Sequence, residues 1–196
     1  MKKKEFFNYH APAWKQAEKR SSLLRVIRES GLKKGCRVCD VGTGTGVLIP
    51  FILQAVGAEG SVVAIDYAPV MIDEAKKRHS AKNLSFVIAD IHHTEFDDNS
   101  FDALFCNACF PHFRNKSLAL KEIARILKPE GLLVLSHPTG RESVNQCHRE
   151  AGGPVGRDRV PPGIQAGIKL KRAGFYPFKM IDEPEFYFLA ALQKSL

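Results

Sequence analysis

The amino-acid sequence predicts an α/β fold: one doubly wound domain around a seven-stranded, mostly parallel sheet with an antiparallel C-terminal strand. Three observations carry this. Short apolar runs alternate with longer amphipathic stretches along most of the chain, the pattern of repeated crossover units. A glycine cluster, Gly42, Gly44 and Gly46, stands between the first apolar run and the stretch after it. A chain of 196 residues, 44% hydrophobic, holds one core of ordinary size and is too short for two.

In chain order, the spacing of Trp14, Ala17, Leu23, Leu24 and Ile27 predicts a helix over 12–30, stopped by Gly31. Arg37–Val41 reads as a strand entering the glycine loop, and Val47–Val56 as the helix beyond it. The unit repeats as a strand at Ser61–Ile65 and a helix at Pro69–His79, with proline in the first turn where a helix tolerates it. Strands follow at Leu84–Ala89 and Phe101–Cys106, a helix at Ser117–Leu127, and a fifth strand at Leu132–Ser136 after the Pro129-Glu130-Gly131 turn. The pattern then dissolves into Gly, Pro and Arg over about 137–162. A helix at Gly163–Arg172 and two strands near Phe175–Ile181 and Glu185–Leu192 close the chain. The expected organisation is an N-terminal helical segment, 1–30, and a domain, 31–196, with 137–162 as an irregular insertion.

Composition narrows the class. There is no apolar run long enough for a membrane span, and Met1-Lys2-Lys3-Lys4-Glu5 lacks the core of a signal peptide, so the cytoplasm is the expected location. Five scattered cysteines fit reduced thiols rather than a disulfide framework. Lys plus Arg number 29 against 21 Asp plus Glu, a formal +8 that permits an anionic partner without requiring one. Nucleic acid is disfavoured: no cluster interleaves Arg with stacking aromatics, and Lys2–Lys4 reads as a solvated terminus.

The chemistry begins at Asp40-Val41-Gly42-Thr43-Gly44-Thr45-Gly46. Glycines at the carboxyl end of a central strand let a nucleotide-like ligand approach the backbone. The spacing departs from the dinucleotide pattern G-x-G-x-x-G, and a carboxylate at Asp40 suits an ammonium or sulfonium better than a phosphate. Asp66, ending the second strand, is placed to accept from ribose hydroxyls. Val38–Gly46, Val63–Met71, Phe86–Ile91, Ser100–Asn107 and Ala124–Leu132 together resemble the ordered motifs of class I S-adenosylmethionine-dependent methyltransferases, of the quinone-biosynthesis and small-molecule group. Glu130 departs from the usual Pro-Gly-Gly turn, and Asn8 stands where an acidic residue is common.

The resemblance implies a Rossmann-like domain that takes S-adenosyl-L-methionine and leaves S-adenosyl-L-homocysteine. It places the cofactor on Asp40, Gly42, Thr43, Gly44 and Gly46, on Asp66, Tyr67 and Met71, on Asp90 and Ile91 near the adenine, and on Asn107. Phe6–Trp14 is similar to a segment that covers the cofactor in such proteins, which makes Tyr9, His10 and Trp14 candidates for a roof. Each residue also has an ordinary structural role open to it: tight turns for the glycines, a helix cap for Asp66, packing for Trp14.

On the acceptor side, His112 and His137 are the expected general bases, at the ends of the fourth and fifth strands, with His148 third. The segment 141–172 carries seven basic residues, Arg141 and Arg157 among them, against three acidic ones, a pattern fitted to an anionic acceptor. Cys106 and Cys109, with His112 following, have spacing compatible with a soft metal or metalloid, although Cys in strands usually serves as a small apolar residue. Cys36 and Cys39 read as core. The expected partner is a small-molecule acceptor. The competing classes are a nucleic-acid or protein methyltransferase and a non-catalytic cofactor binder. The former lacks the Asn/Asp-Pro-Pro-aromatic motif of amino-directed base methylation, since Ala108 and Cys109 follow Asn107.

Overall fold

The computed structural model describes residues 1–14 and 20–194. Its elements are α1 (Lys3–His10), a 3-10 turn at Ala11–Ala13, α2 (Arg20–Ser30), β1 (Arg37–Val41), α3 (Ile49–Val56), β2 (Ser61–Asp66), α4 (Pro69–Arg78), β3 (Leu84–Ile88), β4 (Phe101–Asn107), a 3-10 turn at Phe110–His112, α5 (Lys116–Ile126), β5 (Leu127–His137), α6 (Arg141–Ala151), α7 (Gly163–Arg172), β6 (Phe175–Glu183) and β7 (Phe186–Gln193). The strands form one seven-stranded sheet in the order β3-β2-β1-β4-β5-β7-β6. β7 alone runs against its neighbours, pairing antiparallel with both β5 and β6.

Alternation along the strands divides the core in two, because successive side chains point to opposite sheet faces. Leu104 and Cys106 of β4 join Leu189 and Ala191 of β7 in a cluster closed by α5 and α7. Ala103 and Phe105 join Phe186, Phe188 and Ala190 in the other, closed by α2 and α3. Strands buried on both faces read as continuous apolar runs, which is why Val38–Val41 and Leu104–Cys106 lack a polar alternate apart from Asp40.

Three expectations need correction. The 12–30 helix is not continuous: the 3-10 turn ends at Trp14, which is extended (φ −63°, ψ 107°), and the helix resumes at Arg20 among the described residues. Packing of Trp14 on Phe7, ring centroids 5.9 Å apart, overrides the periodicity there; Ala17 lies outside the described residues. The fifth strand starts earlier than the turn residues imply: Leu127 already pairs with Phe101, and the register then jumps so that Ala103 meets Leu132. Lys128–Gly131 stand opposite the single residue Asp102 at this bulge, with Glu130 in left-handed backbone at φ +62°.

The third correction concerns 137–162, which contains the eleven-residue helix α6 between left-handed Gly140 and Gly152. Its buried residues are polar, Asn145 and His148, so it lacks the apolar stripe by which helices are read. Asn145 accepts from the Val160 amide at 2.8 Å and donates to the Val160 carbonyl at 3.1 Å, folding the following loop back onto the helix.

Two substitutions test this architecture in denaturant titrations. Phe105→Ala, at a fully buried ring, is expected to lower the unfolding free energy by about 3–5 kcal/mol. Glu130→Gly, by relieving left-handed backbone, is expected to raise it by about 0.5–1 kcal/mol.

Candidate active site

The carboxyl ends of β1, β2 and β4 converge on one cleft. After β1 the chain takes left-handed backbone at Gly42, Gly44 and Gly46 (φ +62°, +56° and +87°). A Cβ on Gly42 would lie 2.6 Å from the Cβ of Cys109, and one on Gly46 would lie 2.5 Å from the His79 ring. Gly44 differs: nothing stands within 4 Å of its Cβ position, and it lines the cleft. The first and third glycines therefore serve close packing, and the middle one presents bare backbone to a ligand.

Asp66 holds this loop in place. One oxygen accepts from the Gly44 amide at 3.0 Å and the other from the Ala68 amide at 2.9 Å, so one carboxylate fastens the loop after β1 to the turn before α4. Behind it Asp40 accepts from the Thr43 hydroxyl at 2.6 Å. Neither carboxylate has a salt-bridge partner among the described residues. Burial pushes Asp40 up to about 7, against the Thr43 hydrogen bond and with the Asp66 charge adding to the rise. Burial pushes Asp66 to about 6, against its backbone hydrogen bonds. Two buried acids with no cation beside them among the described residues make a site that favours positive charge.

The cavity has about 800 Å³ of free space including its mouth. Gly42, Gly44, Asp66, Tyr67 and Met71 line one side. Asp90 and Ile91 line the end by β3, and Asn107 the end by β4. Asp40, Thr43 and Gly46 sit behind the wall rather than on it. The Tyr67 hydroxyl is buried without a hydrogen-bond partner among the described residues. Asp90 is already engaged, bound by the backbone amide and ring of His92 and by Arg114 at 2.9 Å. Asn107 accepts from the Ser136 hydroxyl at 2.8 Å.

The roof differs in detail from the expectation. Phe7, buried, and Trp14 line the cavity, whereas Tyr9 is 76% exposed and His10 stacks on Phe6. Phe7 was hidden in the sequence because an aromatic pair at 6–7 does not reveal which ring turns inward. Asn8 accepts from the Val70 amide at 3.2 Å, tying α1 to the start of α4.

The structure brings the three histidines together. His112 lines the cavity, and its ring lies 4.8 Å from that of His148. His112 Nδ1 is 2.7 Å from an Asp158 carboxylate oxygen, and Lys3 donates to the other at 2.8 Å. His137 is buried beside them and is pushed down to about 3, by burial first and then by the charges of His112 and His148. Asp158 and Lys3 are the residues that sequence reasoning missed: the first stood in a segment read as irregular, the second in a run read as solvated. Arg141 turns away to Asp182, and Arg157 is exposed. The Cys109 thiol donates to the Val41 carbonyl at 3.0 Å, and no group of three or more His, Cys, Asp or Glu among the described residues is arranged to hold a metal ion. Cys39 is buried, and Cys36 partly so.

A family model described as a methyltransferase domain matches residues 32–159, more than half of the chain. The chain is similar to a demethylmenaquinone methyltransferase of Staphylococcus aureus (strain MRSA252), 36% identical over 119 residues that cover 59% of this chain and 49% of that protein. It thus spans about half the length of the curated relatives it matches. Among solved structures it resembles a SAM-dependent methyltransferase from Aquifex aeolicus, with a TM-score of 0.77, 25% identity, and 95% of this chain and 98% of that one covered. It shares its fold with Haemonchus contortus phosphoethanolamine N-methyltransferase 2, solved in complex with S-adenosyl-L-methionine, with a TM-score of 0.72, 18% identity and coverage of 90% and 53%.

The raised carboxyls have a measurable consequence. Because the native values lie above the unfolded ones, the native state holds more protons between about pH 4 and 7, and these groups make stability fall as pH rises through that window. His137, whose native value is depressed, acts in the opposite sense from about pH 6.5 downward. The difference between Asp40→Asn and the parent protein isolates the first effect. The variant is expected to be more stable by roughly 4 kcal/mol at pH 8 and indistinguishable near pH 4, read from ligand-free unfolding at each pH.

Proposed function

The chain belongs to the methyltransferase-domain family, and from that premise we propose that it transfers the methyl group of S-adenosyl-L-methionine to a small aromatic acceptor, leaving S-adenosyl-L-homocysteine. The observation that carries this reading is the pair of buried carboxyls, Asp40 and Asp66, at a cavity whose described lining holds no Lys or Arg. A ligand bearing an ammonium and a sulfonium meets that demand, whereas a pyrophosphate would worsen it.

The residues present fit the cofactor. Asp66 spends one lone pair of each oxygen on the backbone and keeps others for ribose hydroxyls. The open face of Gly44 admits the methionine portion, with Asp40 supplying negative charge from behind. Asp90 can receive an exocyclic adenine amine, Ile91 and Met71 offer apolar surface to the ring, and the unpartnered Tyr67 hydroxyl and Asn107 give further polar contacts. When bound, S-adenosylmethionine supplies an electrophilic methyl carbon.

The acceptor side is aromatic, with Phe7, Trp14 and Phe113 around His112. That shape, together with relatives named for a demethylmenaquinone, supports a flat small molecule over a polymer. The basic segment gives no support to an anionic acceptor, because Arg141 is committed to Asp182 and Arg157 is absent from the cavity wall. His112 is the better base of the two expected histidines. It touches the cavity, while His137 is too weakly basic at about 3 to hold a proton at neutral pH.

Calorimetric titration tests the cofactor. S-adenosylmethionine and S-adenosylhomocysteine are expected to bind saturably, NAD not to bind, and Asp66→Ala to weaken both at least tenfold. Absence of binding, or preference for NAD, overturns the reading. With an acceptor found by screening hydroxylated aromatics, His112→Gln is expected to lower kcat by about 10²–10⁴-fold while cofactor affinity stays within about threefold. Cofactor binding without turnover on any acceptor class would mark a binding protein, and turnover on nucleic acid or protein alone would replace the small-molecule reading.

A further inference from the structure

Lys3 and Asp158 stand 155 positions apart in sequence and meet directly beside His112. α1 has eight residues, too few to persist on its own in water, so its position depends on tertiary contacts. Three contacts hold it. Phe7 packs edge-on against Tyr67 (6.3 Å) and His112 (5.1 Å), Asn8 accepts from the Val70 amide, and Lys3 donates to Asp158 and also to the His112 carbonyl at 3.2 Å. Lys3 and Phe7 lie four residues apart, on one face of the helix. The roof and the latch are therefore the same surface.

Asp158 is itself fixed from the far side. His148 Nδ1 donates to its carbonyl at 3.0 Å, its amide donates to the Val155 carbonyl at 2.9 Å, and the Asn145 clamp on Val160 anchors the chain two residues on. Its carboxylate is free to address only what lies in front of it, His112 and Lys3. Although burial acts to raise it, the hydrogen bonds from His112 and Lys3 hold the Asp158 carboxyl below its usual range, so it is ionised at neutral pH. Around the pair stand His148 from α6, His137 from β5, Lys116 from α5, which binds the Pro111 and Phe113 carbonyls on either side of His112, and Arg159, which turns to the Gly156 and Asp158 carbonyls.

We propose that Asp158 is a positioning residue for His112, and that Lys3 latches the N-terminal helix to this pair, so that seating the roof and presenting a basic ring nitrogen to the cavity are one structural event. The inference rests on reading the cavity as the methyl-transfer site and adds the groups that orient its base. A carboxylate bound to Nδ1 keeps the neutral ring's proton on that nitrogen and leaves the lone pair on Nε2. As the acceptor gains the methyl group it loses one proton, which passes to Nε2 and then to solvent. Imidazole becomes imidazolium as the sulfonium becomes a neutral thioether, so charge is conserved. Asp158 stabilises the imidazolium through the Nδ1–H bond and keeps its own proton-free state.

Ring tautomers are read directly from long-range ¹H–¹⁵N correlation spectra of ¹⁵N-labelled ligand-free protein, with the His112 signals assigned by their loss in His112→Gln. The parent protein is expected to show His112 protonated at Nδ1 and bare at Nε2. Asp158→Ala is expected to move the ring toward the opposite tautomer, and Asp158→Asn to do the same, because the Lys3 ammonium needs the amide oxygen and leaves the amide NH2 facing Nδ1. Amide exchange tests the latch: Lys3→Met and Asp158→Ala are each expected to speed exchange in residues 3–10 at least threefold, with no further increase in the double variant. An unchanged His112 tautomer in Asp158→Ala, or unchanged exchange in Lys3→Met, overturns the proposal. If Asp158→Ala fails to fold, Asp158→Asn carries the tautomer readout and Lys3→Met the exchange readout, and a parent-like result in either overturns the proposal. None of these measurements uses the cofactor, so a failure of S-adenosylhomocysteine to bind would sink the methyl-transfer reading while leaving the ring result to stand by itself.

Discussion

The carboxylate of Asp66 joins the Gly44 amide on one loop to the Ala68 amide on the next. Two connections that leave adjacent parallel strands have no backbone ladder between them beyond the strand ends, so something else must set their spacing. A short acid at the last position of β2 does it with two charge-assisted bonds. The bare face of Gly44 and the rim at Tyr67 take their places from this bridge. A Cβ or a longer side chain at Gly42 could not follow, because Cys109 already fills that space.

Around this fixed floor the site is assembled from parts that are remote in sequence. The sheet delivers Asp66 and Asn107 at strand ends, with little freedom to move. The cover over the cavity comes instead from α1 and the Phe110–His112 turn, with α6 packed behind His112, none of which could stand without its neighbours. Their joints are polar and specific: Asn8 on the start of α4, Asn145 on Val160, Lys3 on Asp158. Apolar packing secures the sheet, and individual hydrogen bonds register the cover against it.

What the sequence reveals follows that division. Strands buried on both faces announce themselves as apolar runs, and a glycine cluster after the first of them has few other uses, so the fold and the cofactor side could be read directly. Asp90 was legible as a residue at the right strand end, but not its engagement with His92 and Arg114, since neighbours in space leave no mark on spacing. α6 escaped because the side it buries is polar. Asp158 escaped with it, being one acid in a loop rich in Arg, Gly and Pro. Of the Phe6–Trp14 segment, Phe7 and Trp14 line the cavity and Tyr9 does not, since Tyr9 and Phe7 differ by about half a turn of helix and only tertiary contact decides which faces in.

Asp40 and Asp66 carry one more consequence. At neutral pH an empty cavity holds a fraction of a proton on these acids, because burial makes their ionised forms costly. A cation settling beside them reverses that preference and drives the protons out. Association is then an exchange of one positive species for another, its measured heat varying with the ionisation enthalpy of the buffer and its affinity weakening as the surroundings acidify. The charge preference of the cavity is then tied to the acidity of the medium through the same two side chains.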